Sequence, residues 1–276
     1  MTLHKSPREI ATRSSLDSAF DTSFAKSSTR SQPGRSQSGR SQSGLAPCVA
    51  LIGCDGSGKS TLARDLVMLL DRQAPTRSMY LGLGTGDLGR KIGEVPVIGR
   101  LVEGFLTGKA RKAHDGKTRS GPEKRLPGLL TALAMFGFSL ARHRRFRQVI
   151  DYRRHGVQVV TDRYPQAEVP GTFDGPGLSW MRKGSGLVER IARRERALYE
   201  GMAAYRPTVV IRLNVDVDTA LGRKADHERA MLERKLAVVP TLGFAGAQIV
   251  DVDATRPYHE VLATVLAVLR RHGLQS

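Results

Sequence analysis

The run LIGCDGSGKSTL, residues 51 to 62, constrains this chain more than any other. An apolar stretch meets glycines at 53, 56 and 58, followed by Lys59, Ser60 and Thr61. Gly53, Gly58, Lys59 and Ser60 satisfy the spacing G-x-x-x-x-G-K-[ST]. The residue types follow from the chemistry of phosphate. Its oxygens must approach backbone N–H groups closely, and a Cβ would hold them off. A helix that begins directly after the loop turns its unpaired N–H groups toward the anion. Lys59 supplies a mobile positive charge for β- and γ-phosphates, and Ser60 offers a hydroxyl to Mg²⁺. Gly53, Gly56, Ser57, Gly58, Lys59, Ser60 and Thr61 are therefore expected to hold a nucleotide.

This reading requires a strand before the loop and a helix after it, and both are legible. APCVALIG, 46 to 53, is a short continuous apolar run, as expected of a strand covered on both faces. In the stretch that follows, Leu62, Leu66, Leu69 and Leu70 recur with helical period. Four more strands are predicted at 76–83, 156–162, 207–215 and 247–253. Helices are predicted at 128–155, about 186–204, 217–236 and 256–272. Strands alternating with helices imply a parallel sheet. The expected fold is a three-layer α/β domain of the P-loop NTPase kind, with a five-stranded parallel sheet covered by helices on both faces.

Outside that pattern the composition changes. Residues 1–44 are rich in Ser, Arg, Gln and Gly and repeat RSQPG-RSQSG-RSQSG. Too few apolar residues lie there to offset the entropy of ordering, so a disordered basic tail is expected ahead of a domain at 45–276. The Ser/Arg bias resembles an organellar transit peptide, but Glu9, Asp17 and Asp21 weaken that reading. Residues 84–125 are glycine-rich and basic and read as a long irregular insertion. GTGDLG, 84–89, matches a dinucleotide-type glycine pattern, but no amphipathic helix begins there, so it reads as loop. LPGLLTALAMFGFSLA, 126–141, is the most apolar stretch and is shorter than the roughly 20 residues that span a bilayer. RHRRFR, 142–147, then reads as a helix continuing with a solvated basic face, and a membrane-surface helix is the alternative.

Lys and Arg number 44 against 26 Asp and Glu, a net charge of +18, which suits a phosphate-bearing partner or an anionic surface. Aromatics make up 5% and are not interleaved with the basic runs, so specific nucleic-acid binding is not expected. The two cysteines, Cys48 and Cys54, form neither a disulfide framework nor a metal motif, and a cytoplasmic setting is expected. Cys54 reads as a small filler within the loop rather than a reactive thiol.

VVTDRYP, 159–165, sets Asp162 and Arg163 at the C-terminal end of a buried strand. Ligands bind at that edge of open parallel sheets. Asp162 is suited to hold Mg²⁺ or to position an acceptor, and Arg163 to grip a phosphate bidentately. Together GCDGSGKST, DRY at 162–164, LNVDVDTALGRK at 213–224 and VDATRP at 252–257 resemble the thymidylate kinase branch of the nucleoside monophosphate kinases. The resemblance spans much of 46–272. It implies a five-stranded parallel core, ATP as phosphoryl donor, and a mobile basic lid after the fourth strand. It also implies Arg163 on the acceptor phosphate, and Asp55 and Asp162 on the acceptor and metal side. Arg223, Lys224, Arg229 and Arg234 become lid candidates, any of which can equally belong to a solvated helix face. Asp253 to Arg256 are placed by the adenine.

The acceptor side departs from the family. YLGLGTGD stands where thymidylate kinases carry REPGGT, and PGTFDGPGL, 170–178, maps onto no base-reading motif. Asp174 is read either as facing the acceptor or as starting a turn. The expected activity is ATP-dependent phosphoryl transfer to a small acceptor, a nucleotide or another phosphate-bearing molecule, with thymidine monophosphate a poor one. The alternative is a nucleotide-dependent binding or regulatory protein on an anionic surface. Homodimerisation is left open.

Overall fold

A computed structural model describes residues 44–82, 128–178, 186–224 and 229–274. The tail up to residue 43, the GTGDLG stretch and the insertion 84–125 lie outside these residues.

Five strands form one sheet: β1 (Cys48–Ile52), β2 (Thr76–Tyr80), β3 (Gln158–Asp162), β4 (Val209–Asn214) and β5 (Ile249–Asp253). The order across the sheet is β2-β3-β1-β4-β5, and every pairing is parallel. Among the described residues the α-helices are α1 (Lys59–Leu70), α2 (Leu129–Arg154), α3 (Leu187–Ala203), α4 (Val217–Arg223), α5 (Arg229–Val238) and α6 (Tyr258–Arg271). The predicted α/β class, the strand count and the parallel pairing are observed.

The period of two along each strand divides its side chains between two cores. From β1, Val49 and Leu51 join Leu62 and Leu66 of α1 and Val261 and Val265 of α6 on one face. Cys48, Ala50 and Ile52 join Phe146 and Val149 of α2 and Tyr199 and Met202 of α3 on the other. A strand buried on both faces must be apolar throughout, which is why CVALI lacks a polar residue. Cys48 and Cys54 are buried free thiols. Burial pushes the Cys54 thiol above its ordinary value against the pull of Lys59, which fits a packing role.

Two predicted boundaries are corrected. The helix expected at 217–236 is two helices, α4 ending at Arg223 and α5 beginning at Arg229. Lys224 leaves helical geometry at φ −147° and ψ 82°. The second strand stops at Tyr80 rather than running to residue 83, although Leu81 still donates its N–H to the Asp162 carbonyl at 3.0 Å.

α2 carries a position that the sequence reading missed. Its 26 residues rise about 39 Å, roughly twice the length of a five-residue strand. The helix ends just before β3, at the N-terminal edge of the sheet, so Arg142, 12 residues earlier and about 18 Å back, falls level with the opposite edge. Arg142 is fully buried, which corrects its assignment to a solvated basic face. That assignment holds for Arg144 and Arg147, both exposed. No helix among the described residues is long and apolar enough to cross a membrane.

Leu66 has no exposed surface and fills the centre of the α1–sheet core. Leu66→Ala is expected to destabilise the protein by roughly 2–5 kcal/mol through lost burial and the cavity left behind. A lower urea midpoint with an unchanged slope is the outcome that checks this.

Candidate functional site

The glycines of the phosphate loop are needed for two reasons. Gly53, Gly56 and Gly58 all have positive φ, at 154°, 86° and 88°. Space is also closed: a Cβ on Gly53 would lie 2.6 Å from the Leu213 carbonyl oxygen, and one on Gly56 would lie 2.7 Å from that of Ala220. The loop is thus pressed against the end of β4 and against α4, and only glycine allows both approaches. Within it the Lys59 ammonium is buried, donating to the Cys54 carbonyl at 2.5 Å and to Ser57 Oγ at 3.2 Å. Burial, then the Arg163 charge, lowers its pKa to about 8 against the pull of Asp162 and Asp55.

Ser60 Oγ donates to Asp162 Oδ2 at 2.6 Å. The other oxygen, Asp162 Oδ1, is buried and has no hydrogen-bond partner. One carboxylate with a free oxygen beside one hydroxyl suits Mg²⁺, which takes few protein ligands and completes its shell with phosphates and water. No cluster of three His, Cys, Asp or Glu side chains able to hold a metal occurs among the described residues. The metal pair named from the sequence, Ser60 and Asp162, is brought together from positions 102 residues apart.

Arg163 follows β3 with φ 72°, in the left-handed region that residues with a Cβ seldom adopt. Its N–H still donates to the Leu51 carbonyl at 3.0 Å, so the backbone turns without losing its pairing to β1. Its guanidinium donates to Asp55 Oδ1 at 2.6 Å and lies 3.5 Å from Asp174 Oδ2. Asp174 also has positive φ, 63°, and so does Phe173 before it, at 42°. Both chains are bent where they meet, and strain of this kind is concentrated at functional sites. Arg142 completes the group, donating to Asp174 Oδ1 at 2.5 Å, to the Asp174 carbonyl at 2.6 Å and to the Tyr199 hydroxyl at 3.1 Å. Asp174 therefore forms the turn and also pairs with Arg163 and Arg142.

Lys235 of α5 pairs with the second oxygen of Asp55. Burial works to raise the Asp55 carboxyl, but Lys235, Arg163 and Lys59 outweigh it and hold the group well below the usual carboxylate range. For Arg163, burial is likewise outweighed, here by Asp174 and Asp55, and the guanidinium is held firmly protonated.

The lid candidates are distributed differently. Arg223 reaches the Gly56 carbonyl at 3.4 Å. Arg229 pairs with Asp218 and lies 3.9 Å from Glu233, and Arg234 donates to the Ala230 carbonyl of its own helix at 3.2 Å. Lys224 is exposed. Thr61 and Ser60 open the exposed side of α1, while Ser57 is buried under Lys59. Arg256, assigned to the cofactor from the sequence, is 64% exposed and lies beside Asp253 at 3.7 Å and Glu260 at 3.6 Å. Arg142 and Lys235 were not named from the sequence. A signal existed for Lys235, which lies one turn from Leu232 on the buried side of α5. Arg142 lies inside a run of basic residues that resemble one another, so the sequence alone did not separate it.

No family model matches the chain. It is 43% identical over 215 residues to a protein of Escherichia coli (strain K12) named Uncharacterized ATP-binding protein YghR, covering 78% of this chain and 83% of that one. It is 41% identical over 222 residues to YghS of the same strain, also named an uncharacterized ATP-binding protein, covering 80% of this chain and 91% of that one. The chain belongs to this family. The matched length exceeds what the phosphate loop alone would require, so the likeness extends to the sheet and helices around it.

Asp174→Ala removes one partner of a buried ion pair and leaves the Arg142 guanidinium inside the protein without a carboxylate. A loss of about 3 kcal/mol of stability is expected. Chemical denaturation of the two proteins checks it.

Proposed function

We infer that this protein binds ATP with Mg²⁺ and transfers the γ-phosphoryl group to a small phosphate-bearing acceptor, as a thymidylate kinase-like phosphotransferase. The names of its relatives support the nucleotide. The observation that carries the transfer reading is the Asp55–Arg163–Asp174 arrangement beside the phosphate loop. A guanidinium held at that edge between two carboxylates is placed to grip an incoming phosphate, which supports transfer to an acceptor.

The residues divide the work. Backbone N–H groups from Gly53 to Thr61 cradle the phosphates. Lys59 leaves the Cys54 carbonyl for the β- and γ-phosphates, where its charge is better used. Mg²⁺ held between Ser60 and Asp162 would neutralise charge on the phosphate oxygens. Arg163 grips the acceptor phosphate and aims one of its oxygens at the γ-phosphorus. A bond forms from that oxygen to phosphorus, the β–γ bridging bond breaks, and ADP leaves. Asp55 is tied to two cations and held as a carboxylate, which makes it a poor proton acceptor. The arrangement therefore favours a nucleophile that is already anionic, as a phosphate is, over a hydroxyl that must shed a proton.

Lys59→Ala is expected to abolish turnover, and Arg163→Ala to reduce acceptor phosphorylation roughly 10- to 150-fold, the value of a lost charged hydrogen bond, and by more than it weakens Mg-ATP binding. Labelled ATP and Mg²⁺ are to be tried with nucleoside monophosphates, nucleosides, sugars and sugar phosphates, following ADP release and labelled product together. Thymidine monophosphate is expected to be a poor acceptor. ADP release without labelled product from any of them would overturn phosphoryl transfer and favour a nucleotide-dependent binding or regulatory protein.

A further inference from the structure

A carboxylate inside a phosphate loop is an electrostatic liability. Asp55 lies between Cys54 and Gly56, in the turn that receives the most highly charged part of the nucleotide. Its side chain is only 14% exposed, so water screens it poorly. Left alone, its charge would repel phosphates bound a few ångströms away.

Two cations meet this carboxylate, one on each oxygen. Arg163, from the end of β3, takes Oδ1, and Lys235, from α5, takes Oδ2. The second contact joins residues 180 apart in sequence and depends on how α5 is seated. Leu232, three residues before Lys235, has no exposed surface and packs in the core with residues of α1 and α6. Positions three apart share a helix face, so the buried leucine fixes the direction of the lysine. α4 is pressed on the same loop, with Ala220 against Gly56 and Arg223 on the Gly56 carbonyl. The segment after β4 is therefore docked on the phosphate loop at several points.

We propose that Lys235 is a positioning residue for nucleotide binding, acting through Asp55: its ammonium neutralises the loop carboxylate that would otherwise repel the nucleotide phosphates. The inference rests on the nucleotide-binding reading above. It makes α5 part of the donor site, with Lys235 and Arg163 sharing the Asp55 charge. The depressed carboxyl of Asp55 agrees with a group that is charged and compensated in the resting protein.

A charge-screening role predicts a specific dependence between two substitutions. Binding of N-methylanthraniloyl-ATP in Mg²⁺ is measured by fluorescence on the full chain. Lys235→Met is expected to weaken binding roughly tenfold, the order set by one unscreened charge near bound phosphates. Lys235→Arg should keep the affinity within about threefold. Asp55→Asn should bind at least as tightly as the unmodified protein. In the Asp55→Asn background, Lys235→Met should cost no more than about twofold. An equal loss in both backgrounds would mean that Lys235 touches the nucleotide or only supports the fold, and would overturn the proposal, as would an unchanged affinity in Lys235→Met alone. Should the Met substitution lower the Tm, Lys235→Gln, which keeps the side-chain stem beside Leu232, carries the same cycle. Absence of nucleotide binding by the unmodified protein would overturn the donor reading itself, whereas normal binding without the Asp55 dependence would overturn only the role of Lys235.

Discussion

Leu51 pairs with Asp162 in the parallel register between β1 and β3, and the site depends on that pairing. One residue past Leu51 the first strand ends and the phosphate loop begins, while Asp162 ends the third strand. Register thus sets Ser60 against Asp162 and Asp55 against Arg163 without any contribution from the intervening chain. A shift of one residue would turn Asp162 into the opposite core and leave the loop hydroxyl without its carboxylate. The register is itself held by burial: Val49 and Val160 share one core, and Cys48 and Val159 the other.

Charge is then assembled at the edge that this register defines. Arg142, Arg163 and Lys235 come from three different elements and pair with Asp55 and Asp174, while Ser60 holds Asp162 and Lys59 lies among these carboxylates without pairing to one. Each carboxylate is engaged by at least one donor, and each cation would be costly to leave alone at such burial. An arrangement with alternating sign can receive polyphosphate by exchanging partners, because each cation already sits close to where an anion is held. Lys59 on the Cys54 carbonyl is the clearest case, a buried ammonium resting on a neutral acceptor. Strain accompanies the charge. Arg163, Phe173 and Asp174 adopt left-handed backbone conformations where the β3 loop folds back toward α2, and the ion pairs at Asp174 offset that cost.

The legible part of the fold was the part governed by local pattern. Continuous apolar runs predicted the strands, and helical spacing of leucines predicted α1, since both periods are short enough to read along a line. The break between α4 and α5 was not read from the sequence: RKADHERAMLERK carries helical charge pairing throughout, and the one local mark of the helix end is Gly222, two residues before Lys224 leaves helical geometry. Of the basic residues after β4 named as lid candidates, Arg223 lies against the phosphate loop. Arg229 and Arg234 face other partners, and Lys235 reaches the loop because Leu232 is buried beneath it.

The sequence by itself determined the phosphate loop, its flanking strand and helix, and the Asp162–Arg163 pair, because each is a local pattern whose chemistry demands those residue types at that spacing. Tertiary structure decided which of many similar arginines and lysines serve the site. Arg142 is chosen among its basic neighbours by the length of α2 relative to the sheet, and Asp174 by a turn that meets that arginine. Such choices rest on distances between elements that are remote in sequence. Only packing fixes those distances, since a charged side chain looks the same along the chain whether it ends in water or beside a buried carboxylate.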